Sequence, residues 1–200
     1  MGLTFFDPGT GALAELRPSA PPRVGLEPAG AAPRELAVHA ALSSALVFLG
    51  LEPVAGAEIR VGGADRGAAK AWLKVSALTG AGELSPGALA ARGFSDADLR
   101  FFFLKTHYRK PLAFSWAALS AARGELRELR AAAAAHAGVS LEPSARGHAG
   151  YLIRFREALS KDFNSVDAVD CVWDALRPGA LSPGSRAAML RDALPGLGIP

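Results

Sequence analysis

At Ser95 the sequence changes character, and that change limits the fold more than any other feature of the chain. Downstream, apolar residues recur every three or four positions and the breakers stand between the runs, as in a series of amphipathic helices. Upstream, glycine and proline interrupt every short apolar run. The chain holds 22 Gly and 14 Pro in 200 residues, too many for the elements of a purely helical protein, so they must gather in loops. The expected fold is mainly α. An antiparallel helix bundle is predicted over residues 83–200, joined to a small, broken α/β part over residues 1–82.

In the first third, residues 3–7 (LTFFD) read as a strand before a turn at residues 8–11, and Pro18, Pro21 and Pro22 make an extended spacer before RVGL at residues 23–26. Residues 34–49 read as a helix behind Pro33, with Leu36, His39, Leu42, Leu46 and Leu49 as its repeating positions. AEIRVGG at 57–63 reads as a strand ending in paired glycines, and residues 68–78 fit helix or strand equally. Ser95 or Asp96 then caps a helix in which Leu99, Phe102, Phe103 and Thr106 share a face and which runs to Lys110 and Pro111. Ser115 caps another over 116–137, with Leu119, Leu126 and Leu129 as its buried stripe and Gly138 as its stop. Further helices are predicted over 143–161, over 165–177 behind Asn164 or Ser165, and from Ser182 and Pro183 to Leu194. Trp72, Trp116 and Trp173 are read as core anchors.

Charge separates the two parts as well. Residues 1–95 carry eight basic and eight acidic side chains, and within residues 99–161 eleven basic face four acidic. A local excess of seven suits a polyanion; arginine used as a solvated helix former accounts for the same count. Cys171 is the only cysteine, so no intramolecular disulfide and no cysteine-rich zinc cluster can form, which fits a cytoplasmic protein. It is read as a buried, inert thiol. His39, His107, His136 and His148 lack metal-ligand spacing, and Gly62-Gly63 reads as a plain turn. MGLTFFDPGTG has neither the basic nor the apolar region of a leader, and the longest apolar run, residues 45–51, is too short to cross a bilayer. No membrane partner is expected.

Two strings carry more information than composition does. LRFFFLKTHYRKPLAFS at 99–115 is followed by FREALSKDFNSVDAVDCVWDALR at 155–177, and together they resemble the C-terminal helical part of the cysteinyl-tRNA synthetases, which are class I aminoacyl-tRNA synthetases. His107, Tyr108 and Arg109 match the family's His-Tyr-Arg. Pro111, Leu112, Phe114 and Ser115 match its Pro-Leu-Asn-Phe-Ser turn, with Ala113 in place of Asn. Asp162, Phe163 and Asn164 match its Asp-Phe-Asn-Thr turn, with Ser165 in place of Thr. The resemblance covers roughly residues 86–177.

The resemblance implies that residues 83–200 form a bundle like the anticodon-binding domain of class I synthetases and that residues 1–82 are a small, degenerate, Rossmann-like remnant of the catalytic domain, which resembles the family more faintly. In the register set by its first strands, Gly30 fits, Ala29 stands on the family's zinc cysteine, and Val38-His39-Ala40-Ala41 stands on its His-Ile-Gly-His ATP signature. Residues 43–48 resemble the helix that follows that signature. EIRVGGAD at 58–65 resembles either of two family strands, one ending in Asp-Ile-Asp-Asp and one in His-Gly-Gly-Gly. Lys74-Val75-Ser76-Ala77-Leu78 stands where the Lys-Met-Ser-Lys-Ser loop is expected, without its second lysine.

An amino-acid-activating site needs preorganised cationic donors on the triphosphate of ATP. Of those in the family, this chain offers His39 and Lys74, and it lacks the cysteines that hold the family's thiol-reading zinc. The resemblance therefore implies a truncated and degenerate relative. No catalytic residue, no metal site and no cofactor are assigned, and aminoacylation by the chain alone is not expected. What the resemblance carries over is contact with the backbone of tRNA or another structured RNA, through Arg100, Lys105, His107, Arg109, Lys110 and Arg154; DNA is not expected. A string such as residues 107–110 also serves to cap the carboxyl end of a helix. Two other functions fit the same residues: a module that docks on a synthetase or another protein by its helix faces, and an enzyme that activates a small amino acid with a partner's help.

Overall fold

A computed structural model describes residues 2–82, 84–139 and 145–199. Alternation near the amino terminus produces a hairpin, β1 (Leu3–Asp7) antiparallel to β2 (Ala12–Leu16), with Leu3 opposite Leu16. Leu3, Phe5 and Leu16 point into the core. The turn closes because Gly11 adopts a φ of 69°, open to glycine at no steric cost.

The α/β part is a four-stranded, all-parallel sheet of β3 (Arg23–Pro28), β4 (Glu52–Ala55), β5 (Ile59–Val61) and β6 (Ala71–Leu73) in the order β4-β3-β5-β6. Helix α1 (Pro33–Phe48) connects β3 to β4. From β4 to β5 the chain has only residues 56–58, so it crosses β3 directly. It pairs with Arg23–Leu26 on one side and with Leu26–Pro28 on the other. Two glycines permit the crossing: a Cβ on Gly25 would stand 3.1 Å from the carbonyl carbon of Gly56 and 3.2 Å from the nitrogen of Glu58. Glu58 pins the crossing by accepting hydrogen bonds from Ser19 N–H (2.7 Å), Gly25 N–H (2.9 Å) and Lys70 Nζ (3.0 Å). The ambiguous stretch 68–78 resolves into β6 and a loop, and the short strand β7 (Leu78–Thr79) then pairs in parallel with β8 (Leu112–Ala113).

Helices take about half of the chain, which makes the fold mainly α with a small α/β part. They are α2 (Pro86–Ala91), α3 (Asp96–Leu104), α4 (Trp116–His136), a 3₁₀ turn (Ala145–His148), α5 (Ala149–Ser160), α6 (Ser165–Leu176) and α7 (Pro183–Gly196). Ser85, Ser95, Ser115, Asn164 and Ser182 each accept a hydrogen bond from a first-turn N–H, as expected of N-caps. Of the helix predicted over 143–161, residues 143 and 144 lie outside the described residues. α3 packs on α4, α5 on α6, and α7 against α1, α4 and α6.

Three expectations are corrected. α3 ends at Leu104 instead of Lys110, because the following residues turn back to reach Asp162 and then extend as β8. The buried stripe of α1 is Val38, Ala41, Leu42, Ala45 and Leu46, and Leu36 is 46% exposed, because α1 must face the sheet, α3 and α7 together. Trp72, Trp116 and Trp173 are only half-buried, Trp116 and Trp173 packing against the core and Trp72 outside it, while Phe5, Phe101, Phe103, Phe155 and Phe163 fill the interior. One continuous cluster of buried side chains runs from the hairpin through the sheet to the helices, so both parts share a core. Among the described residues no helix is long and apolar enough to cross a membrane.

Candidate functional site

The two strings that carry the resemblance meet at one carboxylate. Asp162 (φ 57°) and Phe163 (φ 44°) both occupy the left-handed region that side chains avoid, and the contacts around Asp162 hold that strained turn in place. Its N–H donates to the Thr4 carbonyl at 2.6 Å. Its Oδ1 accepts from Phe6 N–H at 2.9 Å and from the Tyr108 hydroxyl at 2.5 Å. Its Oδ2 faces the Arg109 guanidinium at 2.7 Å and His107 Nε2 at 3.6 Å. Asp162 is 4% exposed and Tyr108 2%. Burial, then the bond to Asp162, raises the Tyr108 pKa far above the ordinary phenol value. Burial also lowers the His107 pKa, with Asp162 opposing it, and the imidazole stacks on the Tyr108 ring at 4.8 Å. Residues 107–110 are thus an interlock between β1, α3 and α6; they cap no helix, the carboxyl-terminal cap of α3 being Lys105.

A second group reaches the same turn from the sheet side. Arg34, in the first turn of α1, is 1% exposed and donates to the carbonyls of Lys110 (2.8 Å), Ser76 (2.9 Å), His107 (3.2 Å) and Ala77 (3.3 Å). Among the described residues it meets no carboxylate, and burial lowers its pKa. Ser76 completes the contact, its N–H donating to the Tyr108 carbonyl at 2.9 Å and its hydroxyl to the Arg109 carbonyl at 2.5 Å.

The six residues expected at an RNA surface do not form one patch. Arg100 is half-buried and donates to the Gly198 carbonyl at 2.6 Å. Lys105 pairs with Glu125, and Arg154 pairs with Asp174 at 3.2 Å. Arg109 is 40% exposed and lies over the Phe6 ring while paired with Asp162. Lys110 is exposed and has no ion pair among the described residues. His107, Arg109 and Arg154 share a cleft of about 970 Å³ between the hairpin, α5 and α6. Its lining is mixed: Arg109, Arg154, Lys161 and Arg177 face Glu157, Asp162, Asp167, Asp170 and Asp174. That balance does not make a polyanion groove.

The parallel sheet has its own crevice, beyond the carboxyl ends of β3 and β5 and before the first turn of α1, where open α/β sheets take ligands. Glu35 fills it. Its two carboxylate oxygens accept from Gly63 N–H at 2.9 Å and Ala32 N–H at 3.2 Å, and a Cβ on Gly30 or Gly62 would collide with the carboxylate. The paired glycines are therefore more than a plain turn. A triphosphate placed here would meet like charge, so the residues do not fit ATP. They do not fit the family's zinc either: Ala29 offers no ligand atom, and its Cβ sits directly against Gly63. Among the described residues no group of three His, Cys, Asp or Glu is placed to hold a metal. His39 is half-buried with Nε2 unpartnered, and burial lowers its pKa. Cys171 is buried, its thiol donates to the Tyr151 carbonyl at 3.2 Å, and burial pushes its pKa up, as an inert thiol requires.

Arg34 and Glu35 escaped the sequence reading. Pro33 followed two residues later by Glu35 carried a usable helix-start signal. Nothing marked Arg34, because an arginine in a first turn is ordinarily solvated.

No protein-family model matches the chain. Curated cysteine-tRNA ligases do. The ligase of Trichlorobacter lovleyi is 35% identical over 127 residues, covering 52% of this chain and 26% of that protein. That of Treponema pallidum is 33% identical over 137 residues, covering 58% and 26%, and that of Nitrosomonas eutropha 34% over 106 residues, covering 50% and 23%. The chain spans about a quarter of the length of these relatives. Over about half of its own length, the chain is a partial, cysteinyl-tRNA synthetase-like relative of these ligases.

Proposed function

We propose that the protein holds the backbone of a structured RNA, tRNA foremost, at the surface formed by residues 105–110, in the cytoplasm, and does not itself activate an amino acid. The observation that carries this is the exposure of Arg109 and Lys110 on a turn fixed from behind by Asp162 and Arg34. Exposed Lys74, whose ammonium lies over the Trp72 ring at 5.6 Å, belongs to the loop that Ser76 binds to that turn, which adds a third cation to the joined loops. Cations presented this way meet phosphates and read little sequence. The synthetase-like relationship supports tRNA as the first ligand to try, and Glu35 in the sheet crevice supports the absence of ATP chemistry.

Filter binding with unfractionated tRNA at 50 and 200 mM salt tests it. Binding is expected at low salt and should weaken steeply with salt; the double variant Lys74→Ala/Lys110→Ala should flatten the slope of log K against log salt by about 1 to 2. Absence of binding at low salt, or binding indifferent to salt, overturns it.

Docking on a partner protein is favoured by one observation. Leu36 is 46% exposed beside a groove of about 410 Å³ lined by Ala37, Ala40, Leu89 and Leu99. A stable complex that survives nuclease treatment would support that function over RNA contact.

A further inference from the structure

Among the described residues Arg34 is the largest fully buried side chain, and it carries a charge with no carboxylate beside it. Burying an unpaired guanidinium is costly unless other groups replace its water. Here backbone carbonyls do so for the two terminal nitrogens, Nε having no partner among the described residues, and the carbonyls come from two segments only: Ser76 and Ala77 on one, His107 and Lys110 on the other. All four acceptors belong to the two loops that carry Lys74, Arg109 and Lys110. The guanidinium adds no contact at the surface, yet it fixes both ends of the 107–110 turn from beneath.

The helix that supplies Arg34 is equally constrained. Pro33 sets the first position of α1, and the neighbouring Glu35 ties that first turn to Gly63 at the end of β5 and to Ala32 after β3. The sheet thus holds Glu35, Glu35 and Pro33 hold the first turn, and Arg34 in that turn holds the two loops. On the far side the turn is held by Asp162, through Tyr108 and Arg109. Flexible cations lose ordering entropy when they dock, and a turn whose carbonyls are already fixed loses less.

We propose that Arg34 is a positioning residue for the RNA-contacting turn, and that presenting this turn is the work of the α/β part. This rests on the RNA contact proposed above. Arg34 is 1% exposed, so it touches no RNA; it acts through the placement of Arg109, Lys110 and Lys74.

The test compares wild type, Arg34→Met, Arg34→Lys and a control, Val172→Ala, which opens a cavity in α6 and unfolds at a lowered temperature without touching the turn. Binding of tRNA is measured at a temperature where each variant is folded. Arg34→Met is expected to bind about tenfold more weakly with an unchanged salt slope, since the same phosphates are met at a greater ordering cost. Arg34→Lys should recover part of the affinity, and Val172→Ala should bind as wild type does. Hydrogen exchange gives a readout that needs no RNA: the amides of Ser76, Lys110 and Leu112 should exchange faster in Arg34→Met while those of α6 do not. Wild-type affinity in Arg34→Met, or equal loss in Val172→Ala, overturns the positioning role. If wild type binds no RNA, the function proposed above fails and the exchange rates alone decide whether Arg34 fixes the turn. If Arg34→Met does not fold, Arg34→Lys carries both measurements: weaker binding and faster exchange support the role, and wild-type values for both overturn it.

Discussion

A proton arriving at Glu58 has three hydrogen bonds to displace. The bonds from Gly25, Ser19 and Lys70 hold this carboxyl at about 2, against an ordinary 4.5. A folded-state pKa below the unfolded one means stability that is fully present above about pH 4.5 and is lost as the pH falls toward 2. With solvent close by, the contribution is about 1 kcal/mol. Glu58→Gln should therefore lower the urea midpoint at pH 7 and leave it nearly unchanged at pH 2.5, as chemical denaturation followed by circular dichroism would show. Residues of this kind were poorly legible in the sequence. Glu58 looks like an ordinary strand-edge acid, and its meaning comes from a spacer and a loop brought to it by the fold. Arg34 was illegible for a stronger reason: it breaks the rule that arginine stays in water unless paired. Asp162 was legible only as part of a string, and its role as a junction needed the structure.

Elements were read more successfully where a local signal fixes them. The serine and asparagine caps of the helices stand where the sequence placed them, because a side-chain oxygen on a free N–H is a contact within four residues. The end of α3 and the crossing from β4 to β5 were not legible, since both depend on partners far along the chain: Asp162 in one case, and Gly25 lying against Gly56 in the other. The hairpin β1–β2 is joined to the helices by Asp162, so its anchoring is open to measurement. Tyr108→Phe and Asp162→Asn should each destabilise the protein by about 1–3 kcal/mol, and the double variant by less than their sum, because both remove the same buried hydrogen bond. Additive losses in a thermal-unfolding cycle would show that the two groups act independently. Asparagine is the suitable replacement, as it tolerates the φ of 57° at that position.

At the scale of the whole molecule, the +3 net charge conceals a fold in which most of the cations expected at the RNA surface are already paired. Counting charge over residues 99–161 overstates the field at the surface, because Asp162 and Asp174, which answer Arg109 and Arg154, lie outside that stretch. The division at Ser95 was legible because it is a change of periodicity; the shared core was not, because it joins side chains from the hairpin, the sheet and the helices. The closed crevice has a thermodynamic signature of its own. A site that takes a ligand raises the unfolding temperature in proportion to the logarithm of ligand concentration. With Glu35 in place, the midpoint should be indifferent to ATP up to millimolar concentration at constant ionic strength, and an ATP-dependent rise would show the crevice to be open.

Glu35 is joined to the crevice by the chain itself, and an occupant attached in this way has an effective concentration in place of a bulk one. It has no association rate and no dilution limit. The bonds that tie the first turn of α1 to the end of β5 are thus internal to the fold, and their strength depends on the chain and not on the concentration of anything around it.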